Sequence, residues 1–142
     1  MSVEGAVAAA AVLAAAAVIG LVRRRRDGVL RARKGAGRVD ERLGAADLGA
    51  ELGERATLVQ FSSAFCAPCR ATRRILGEVA AMVDGVAHIE IDAESNLDLV
   101  RRLGVVRTPT VFVLDASGRV VRTATGQPRK ADVIAALGEA IP

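Results

Sequence analysis

The two cysteines of the chain, Cys66 and Cys69, stand where a strand pattern changes into a helix pattern. Residues 56–61, ATLVQF, form a short apolar run with β-branched members, which is typical of a buried strand. After the cysteines, apolar positions recur at helical spacing and form one stripe, with two more apolar residues beside it. The stripe holds Cys69, Thr72, Leu76, Val79 and Val83, and Ile75 and Met82 lie beside it. This order predicts an α/β fold in which Cys66 begins a helix.

That position gives the two sulfurs different properties. Unpaired N–H groups and the helix dipole at a helix N-terminus stabilise a thiolate, which makes Cys66 a nucleophile. Cys69 lies one turn further on, within reach of a disulfide with Cys66. Pro68 costs little in a first helical turn and stiffens the loop between the sulfurs. The spacing predicts an exposed attacking thiol and a buried resolving thiol.

Three other interpretations of the cysteine pair stay open at this point. A structural zinc site needs about four ligands, typically two such pairs, whereas this chain has one pair and one histidine, His88, in an alternating strand pattern. No metal is therefore expected. The cysteines can also be inert core residues. A redox-inactive interaction module on the same fold is the main alternative, because a fold does not determine a function.

The remaining patterns predict the element order β-α-β-α-β-β-α. Residues 86–91 alternate like a strand, and a helix-start signal of Ser95 with Asp98 leads to a helix that ends at Gly104. Two strands, TVFVLD and RVVRTA, flank ASG as a hairpin whose Gly118 tolerates positive φ. Pro128 opens the last helix, whose predicted inward residues are Val133, Ile134, Leu137 and Ile141. The first two strands should be parallel and the last two antiparallel, which gives a central mixed sheet flanked by helices.

Residues 5–22 contain no charged side chain, and a helix of this length spans about 27 Å, close to the hydrocarbon thickness of a bilayer. Glu4 precedes this segment and Arg23–Arg26 follow it, an asymmetry that favours a retained helix with its C-terminal side in the cytoplasm. A poorly inserting alanine-rich helix and a cleaved signal of unusual form are the alternatives. We expect an anchor at residues 1–22, a basic juxtamembrane linker at 23–44 and a folded domain at 45–142.

The net positive charge of the chain, +4, comes from the linker and not from the domain. Residues 23–42 carry a net charge of +6, whereas residues 43–142 carry −1. Three phenylalanines are the only aromatic residues, so the domain offers neither a basic face nor stacking partners for bases. The composition argues against nucleic acid as a partner.

Residues 56–140 resemble a thioredoxin domain. FCAPCR resembles the active-site loop of that family, and RTPT at 107–110 resembles the loop whose cis-proline, here Pro109 after Thr108, faces the active site. TATGQ resembles the segment that carries the family's glycine, here Gly126, and Asp92 also fits the family. The resemblance implies a thioredoxin-like fold, preceded in this chain by one transmembrane helix.

The resemblance also implies dithiol–disulfide exchange without a cofactor, in which Cys66 attacks and Cys69 resolves. A cytoplasmic, monomeric domain would reduce protein disulfides and take electrons from a reductase, whereas a domain outside the cytoplasm would favour an oxidase or isomerase. The residues expected to form the substrate groove are Phe65, Ala67, Pro68, Thr108, Pro109 and Gly126. The chain departs from the family at three positions, with Phe65 for a tryptophan, Ala67 for a glycine and Gln60 for a buried acid. Gln60 affects proton transfer, because an amide cannot take a proton from the resolving thiol.

Overall fold

The computed structural model describes residues 2–32 and 41–142. The helices are α1 (Val3–Arg26), α2 (Ala45–Leu48), α3 (Ala67–Met82), α4 (Leu97–Leu103) and α5 (Lys130–Ala140). The strands are β1 (Arg31–Ala32), β2 (Ala56–Ser62), β3 (Val86–Asp92), β4 (Thr110–Asp115) and β5 (Val120–Thr125). The predicted order of the domain is confirmed, and the short β1 and α2 were not predicted.

In the described part of the chain, five strands form one sheet in the order β1-β5-β4-β2-β3. β2 runs parallel to β3, as the helical crossover between them predicts, and antiparallel to β4. β4 and β5 form the predicted antiparallel hairpin, and Gly118 in its turn has φ +83°. The mixed sheet is therefore confirmed.

Alternation along β2 gives the sheet two buried faces. Leu58 packs beneath α3 and α5 in a cluster that includes Leu76, Val79, Val111, Val133 and Leu137. Val59 and Phe61 point to the opposite face, where they join the buried residues Ile89, Ile91, Leu99, Leu103 and Phe112. The rings of Phe61 and Phe112 meet edge to face with centroids 5.7 Å apart. Gln60 has the alternation of Leu58, so it points towards α3, the helix that carries Cys69.

Two predicted helix starts are wrong by one or two residues. Asn96, not Ser95, precedes α4, because the Ser95 hydroxyl donates instead to the carboxylate of Asp92 at 2.7 Å. α5 begins at Lys130, since Pro128 is buried in the loop before it. Two apolar residues predicted to lie on or beside inward helix faces are exposed: Met82 at 62% and Ile134 at 42%.

The apolar N-terminal segment is helical, and α1 continues through the arginines to Arg26. Every residue of α1 is exposed. Within the described ranges, α1 is the one helix long and apolar enough to cross a membrane, although signal sequences share that length and composition. The expected linker at 23–44 falls partly on residues 33–40, which lie outside the described residues. On either side of that gap, β1 pairs with β5 and Leu43 is buried in the core.

Candidate active site

The cysteine pair lies at the end of β2, where the chain turns into α3. Cys66 is the N-cap of α3, and its sulfur accepts a hydrogen bond from the backbone N–H of Cys69 at 3.2 Å. The two cysteines form a disulfide, with Sγ atoms 2.05 Å apart. Cys66 is partly exposed, whereas Cys69 is 1% exposed. The predicted contrast between an accessible and a buried sulfur is confirmed.

The residues around Cys66 on its own loop face solvent. Ala67 and Pro68 form the exposed first turn of α3, and the Thr72 hydroxyl donates to the Pro68 carbonyl at 2.9 Å. Phe65 is fully exposed to solvent, at 103%. Phe65 also adopts φ +59°, a left-handed conformation that is unfavourable for a residue with a Cβ atom. A large apolar ring held out in a strained conformation is typical of a binding surface.

A second loop, between α4 and β4, closes on the cysteine pair. The Thr108 hydroxyl lies 3.8 Å from Sγ of Cys66 and 2.7 Å from the hydroxyl of Ser63. The Thr108–Pro109 peptide bond is cis. The carbonyl of Pro109 accepts a hydrogen bond from the N–H of Gly126 at 2.8 Å, and Gly126 has φ +96°. The structure thus brings together the two loops and the glycine that the sequence placed at the site.

Gln60 lies beneath the cysteine pair with no exposed surface. Its side-chain amide nitrogen donates to the carbonyl oxygen of Cys69 at 2.8 Å and to the hydroxyl of Ser62 at 3.0 Å. Both N–H groups of the amide are therefore used, and the amide oxygen is left as an acceptor. Gln60 ties the first turn of α3 to the sheet without carrying a titratable proton.

His88 supplies the partner of that oxygen, a link that sequence reasoning missed. Its Nε2 lies 3.1 Å from Oε1 of Gln60. Because an amide oxygen only accepts, the hydrogen is assigned to Nε2, which leaves Nδ1 as an acceptor. Burial lowers the pKa of His88, Glu90 opposes that shift, and Arg73 adds to it. The alternation of side chains along the two strands could have revealed this contact, because His88 and Gln60 both point from parallel neighbouring strands towards α3.

The arginines that follow Cys69 lie on an exposed face of α3. Arg73 forms a two-pronged ion pair with Glu90, with both N–O distances 2.6 Å. Within residues 2–32 and 41–142, no three His, Cys, Asp or Glu side chains come together as a metal site. The chemistry that the described residues support is that of the two sulfurs.

Comparison with known proteins identifies the same chemistry. The family model described as Thioredoxin matches residues 46–139. The chain is 33% identical over 84 residues to Thioredoxin of Bacillus subtilis (strain 168), which covers 58% of this chain and 80% of that protein. It is 33% identical over 60 residues to Thioredoxin domain-containing protein 2 of Homo sapiens, 42% of this chain but only 11% of that longer protein.

A solved structure shows the same fold at lower identity. The crystal structure of chloroplastic thioredoxin z superposes with a TM-score of 0.58 at 22% identity, over 75% of this chain and 97% of that one. Proteins of this family act on protein disulfides through a paired-cysteine motif and work with a reductase. Because the family model spans nearly the whole globular part, including the Cys66–Cys69 pair, the chain belongs to the thioredoxin family and has the dithiol–disulfide centre of a thiol–disulfide oxidoreductase.

Proposed function

We propose that this protein is a membrane-tethered reductase of protein disulfides, with its domain in the cytoplasm. The observation that supports this most is the inequality of the two sulfurs. Cys66 is accessible at a helix N-terminus beside Thr108, and Cys69 is buried behind it. An attacking thiolate must reach its partner, whereas a resolving thiol has to reach only the first cysteine.

In the reduced protein, the Cys66 thiolate attacks one sulfur of a partner disulfide, and the other sulfur leaves as a thiolate. The Cys69 thiolate then attacks Sγ of Cys66, which forms the Cys66–Cys69 disulfide and releases the second partner thiolate. The partner gains two electrons and the domain loses two. A reductase must then donate two electrons to reduce the Cys66–Cys69 disulfide. The exchange itself uses no cofactor beyond the cysteine pair.

The partner chain would bind between the two loops as an added strand. Thr108 and Pro109 would offer backbone groups to that strand, and Gly126 supports their loop through its bond to Pro109. The exposed ring of Phe65 and the first turn formed by Ala67 and Pro68 would contact partner side chains. Apolar side chains around an accessible nucleophile are suited to extended, partly unfolded protein segments.

Retention in the membrane rests on α1 and its charges. Arg23–Arg26 end the helix, and arginines concentrate on the cytoplasmic side of spanning helices. We propose residues 1–22 as the anchor, 23–44 as a basic connecting segment of which residues 27–32 and Leu43 pack on the domain, and 45–142 as the monomeric catalytic domain. Protease added outside intact cells should then leave residues 43–142 uncut. An exported chain that begins after residue 20 would identify a cleaved signal instead.

Trapping of mixed disulfides tests the catalytic assignment. With dithiothreitol as electron donor, the wild-type protein should reduce insulin. Cys69→Ser should accumulate mixed disulfides with partner proteins, because the resolving sulfur is gone, and Cys66→Ser should accumulate none. In the reduced wild type, Cys66 should react with iodoacetamide faster than Cys69. Equal alkylation rates without trapped species in either variant would favour the redox-inactive interaction module.

A further inference from the structure

The end of α1 is attached directly to the loop that faces the cysteine pair. Asp27, the residue after the helix, forms an ion pair with Arg107. Arg107 immediately precedes Thr108, whose hydroxyl contacts Cys66. An exposed ion pair alone contributes little to stability, but this one joins residues 80 positions apart at the mouth of the candidate active site.

Gly28 continues the attachment through its backbone. It is buried, and its N–H donates to the carbonyl of Thr125 at 2.7 Å. A Cβ atom on Gly28 would lie 1.8 Å from the carbonyl oxygen of Gln127, and its φ of +74° favours glycine as well. This position therefore accepts only glycine while the segment stays docked. The loop it touches contains Gly126, which is bonded to Pro109.

The following residues extend the contact along the sheet edge. Leu30 packs against the cluster beneath α5, and β1 pairs antiparallel with β5 through Arg31 and Ala32. No spacer separates this docked segment from α1, because Arg26 ends the helix and Asp27 is already in contact. A membrane held by α1, with Arg23–Arg26 at its headgroups, would therefore lie beside the Thr108–Pro109 loop.

We propose that residues 27–32, here called the docked segment, fix the active-site face towards the membrane surface, so that the substrates are disulfides in the juxtamembrane segments of other membrane proteins. This inference rests on the proposed reductase function and on retention of α1. Leu97 on α4 and Val106 in the loop after it are apolar side chains that are 52% and 87% exposed. They lie beside Arg107 and Thr108 in a groove of the surface and would face a partner close to the bilayer.

A depth measurement tests the orientation without using activity. In the oxidised full-length protein the native cysteines are paired, so a fluorophore can be attached to a third cysteine, either Val106→Cys or Met82→Cys. α3 begins at the site and its 16 residues extend about 24 Å away from it, to Met82. In phosphatidylcholine–phosphatidylglycerol vesicles with a quencher on the headgroups, the label at 106 should be quenched at least about twofold more than the label at 82, given that separation. Equal quenching would overturn the proposal.

Gly28→Ala should remove the difference between the two labels, because the added Cβ atom cannot fit against Gln127. Gly49→Ala is the matched control. Gly49 has φ +68°, yet a Cβ atom there would meet nothing within 4 Å, so this variant should keep the difference.

A flexible insertion of about ten Gly and Ser residues between Arg26 and Asp27 leaves the docked segment intact and should also equalise quenching, since it frees the domain from the bilayer. A difference that persists in both Gly28→Ala and the insertion variant would overturn the proposal.

Substrate selection gives a separate readout. Reporter disulfides can be placed on a transmembrane helix behind flexible spacers of about 8 or about 72 residues, whose typical reach is about 16 or 48 Å. With dithiothreitol as donor, the wild type should reduce the near reporter at least about threefold faster, because the local concentration of a tethered group falls as its spacer lengthens, and Gly28→Ala should reduce both at similar rates. Equal rates in the wild type, together with normal insulin reduction, would refute the orientation but leave the reductase function standing. Failure to reduce insulin would refute the reductase function itself.

Discussion

The side chain of Gln60 joins the carbonyl oxygen of Cys69 to the ring of His88, with hydrogen bonds of 2.8 and 3.1 Å. The amide fits its buried position because all of its polar atoms have partners. It holds the backbone of the resolving cysteine in place but provides no carboxylate to receive that cysteine's proton. We therefore expect the resolving step to depend on water or a more distant group.

We predict that Gln60→Asp speeds the resolution of the mixed disulfide. A carboxylate near Cys69 can act as a general base, and such assistance is typically worth about 10²-fold. The same negative charge disfavours a second anion nearby, so alkylation of Cys66 should reach half its maximal rate at a higher pH. Rapid-quench analysis of a labelled partner peptide measures the first effect, and iodoacetamide rates against pH measure the second.

Gln60→Asn is the matched control, because it has the shape of aspartate without its charge. It should leave resolution as slow as in the wild type. If Gln60→Asp and Gln60→Asn resolve the mixed disulfide at the same rate in a folded protein, another group accepts the proton and the assigned role of position 60 is wrong.

His88 should make the domain less stable in mild acid. Burial lowers its pKa in the folded state below the unfolded value of 6.5, so the unfolded chain binds more protons in this range. Its contribution is complete above about pH 6.5 and is lost as the pH falls through the folded pKa. The loss should stay below about 1 kcal/mol, because the ring is partly exposed and solvent screens it.

Urea unfolding followed by circular dichroism at pH 7.5 and 5 measures this effect. His88→Gln keeps a polar side chain opposite Gln60 but does not titrate, so its stability should change less between the two pH values. The charges of Glu90 and Arg73 lie near position 88 in both proteins. An identical pH dependence in the wild type and in His88→Gln would contradict the assignment.

The sequence predicts the parts of this fold that depend on local pattern. The strand at 56–61, the helix after Cys66 and the hairpin around Gly118 follow from periodicity and turn chemistry. The contact of Asp27 with Arg107 could not be predicted, because it joins exposed residues 80 positions apart. The predicted start of α4 is one residue early, because the Ser95 hydroxyl donates to the carboxylate of Asp92, three residues before it, instead of capping the helix.

The hydroxyl of Thr108 should favour the Cys66 thiolate, since it lies 3.8 Å from the sulfur even in the disulfide. Thr108→Val keeps the shape of the side chain and removes the donor. A hydrogen bond to a charged group is worth about 1.5–3 kcal/mol, so we expect attack on a partner disulfide at neutral pH to slow by about tenfold or more. Stopped-flow reaction with a disulfide peptide measures this rate. Ser63→Ala keeps the Thr108 hydroxyl and should slow attack less, and equal rates in wild type and Thr108→Val would exclude the contact as a cause.

We expect Phe65 to lower the stability of the domain and to contribute to partner binding. Its ring is exposed and its φ of +59° is unfavourable for any residue with a Cβ atom. Phe65→Ala keeps the strained backbone and should change the free energy of unfolding by less than about 0.5 kcal/mol, whereas Phe65→Gly relieves the strain and should stabilise the domain by about 0.5–1 kcal/mol. Both variants should raise KM for insulin and leave the reduction of a small aromatic disulfide unchanged, because only a protein partner reaches across the ring. Urea unfolding and the two assays separate these effects. An unchanged KM for insulin would show that the ring has no part in docking, and a glycine variant no more stable than the alanine variant would show that residue 65 stores no strain.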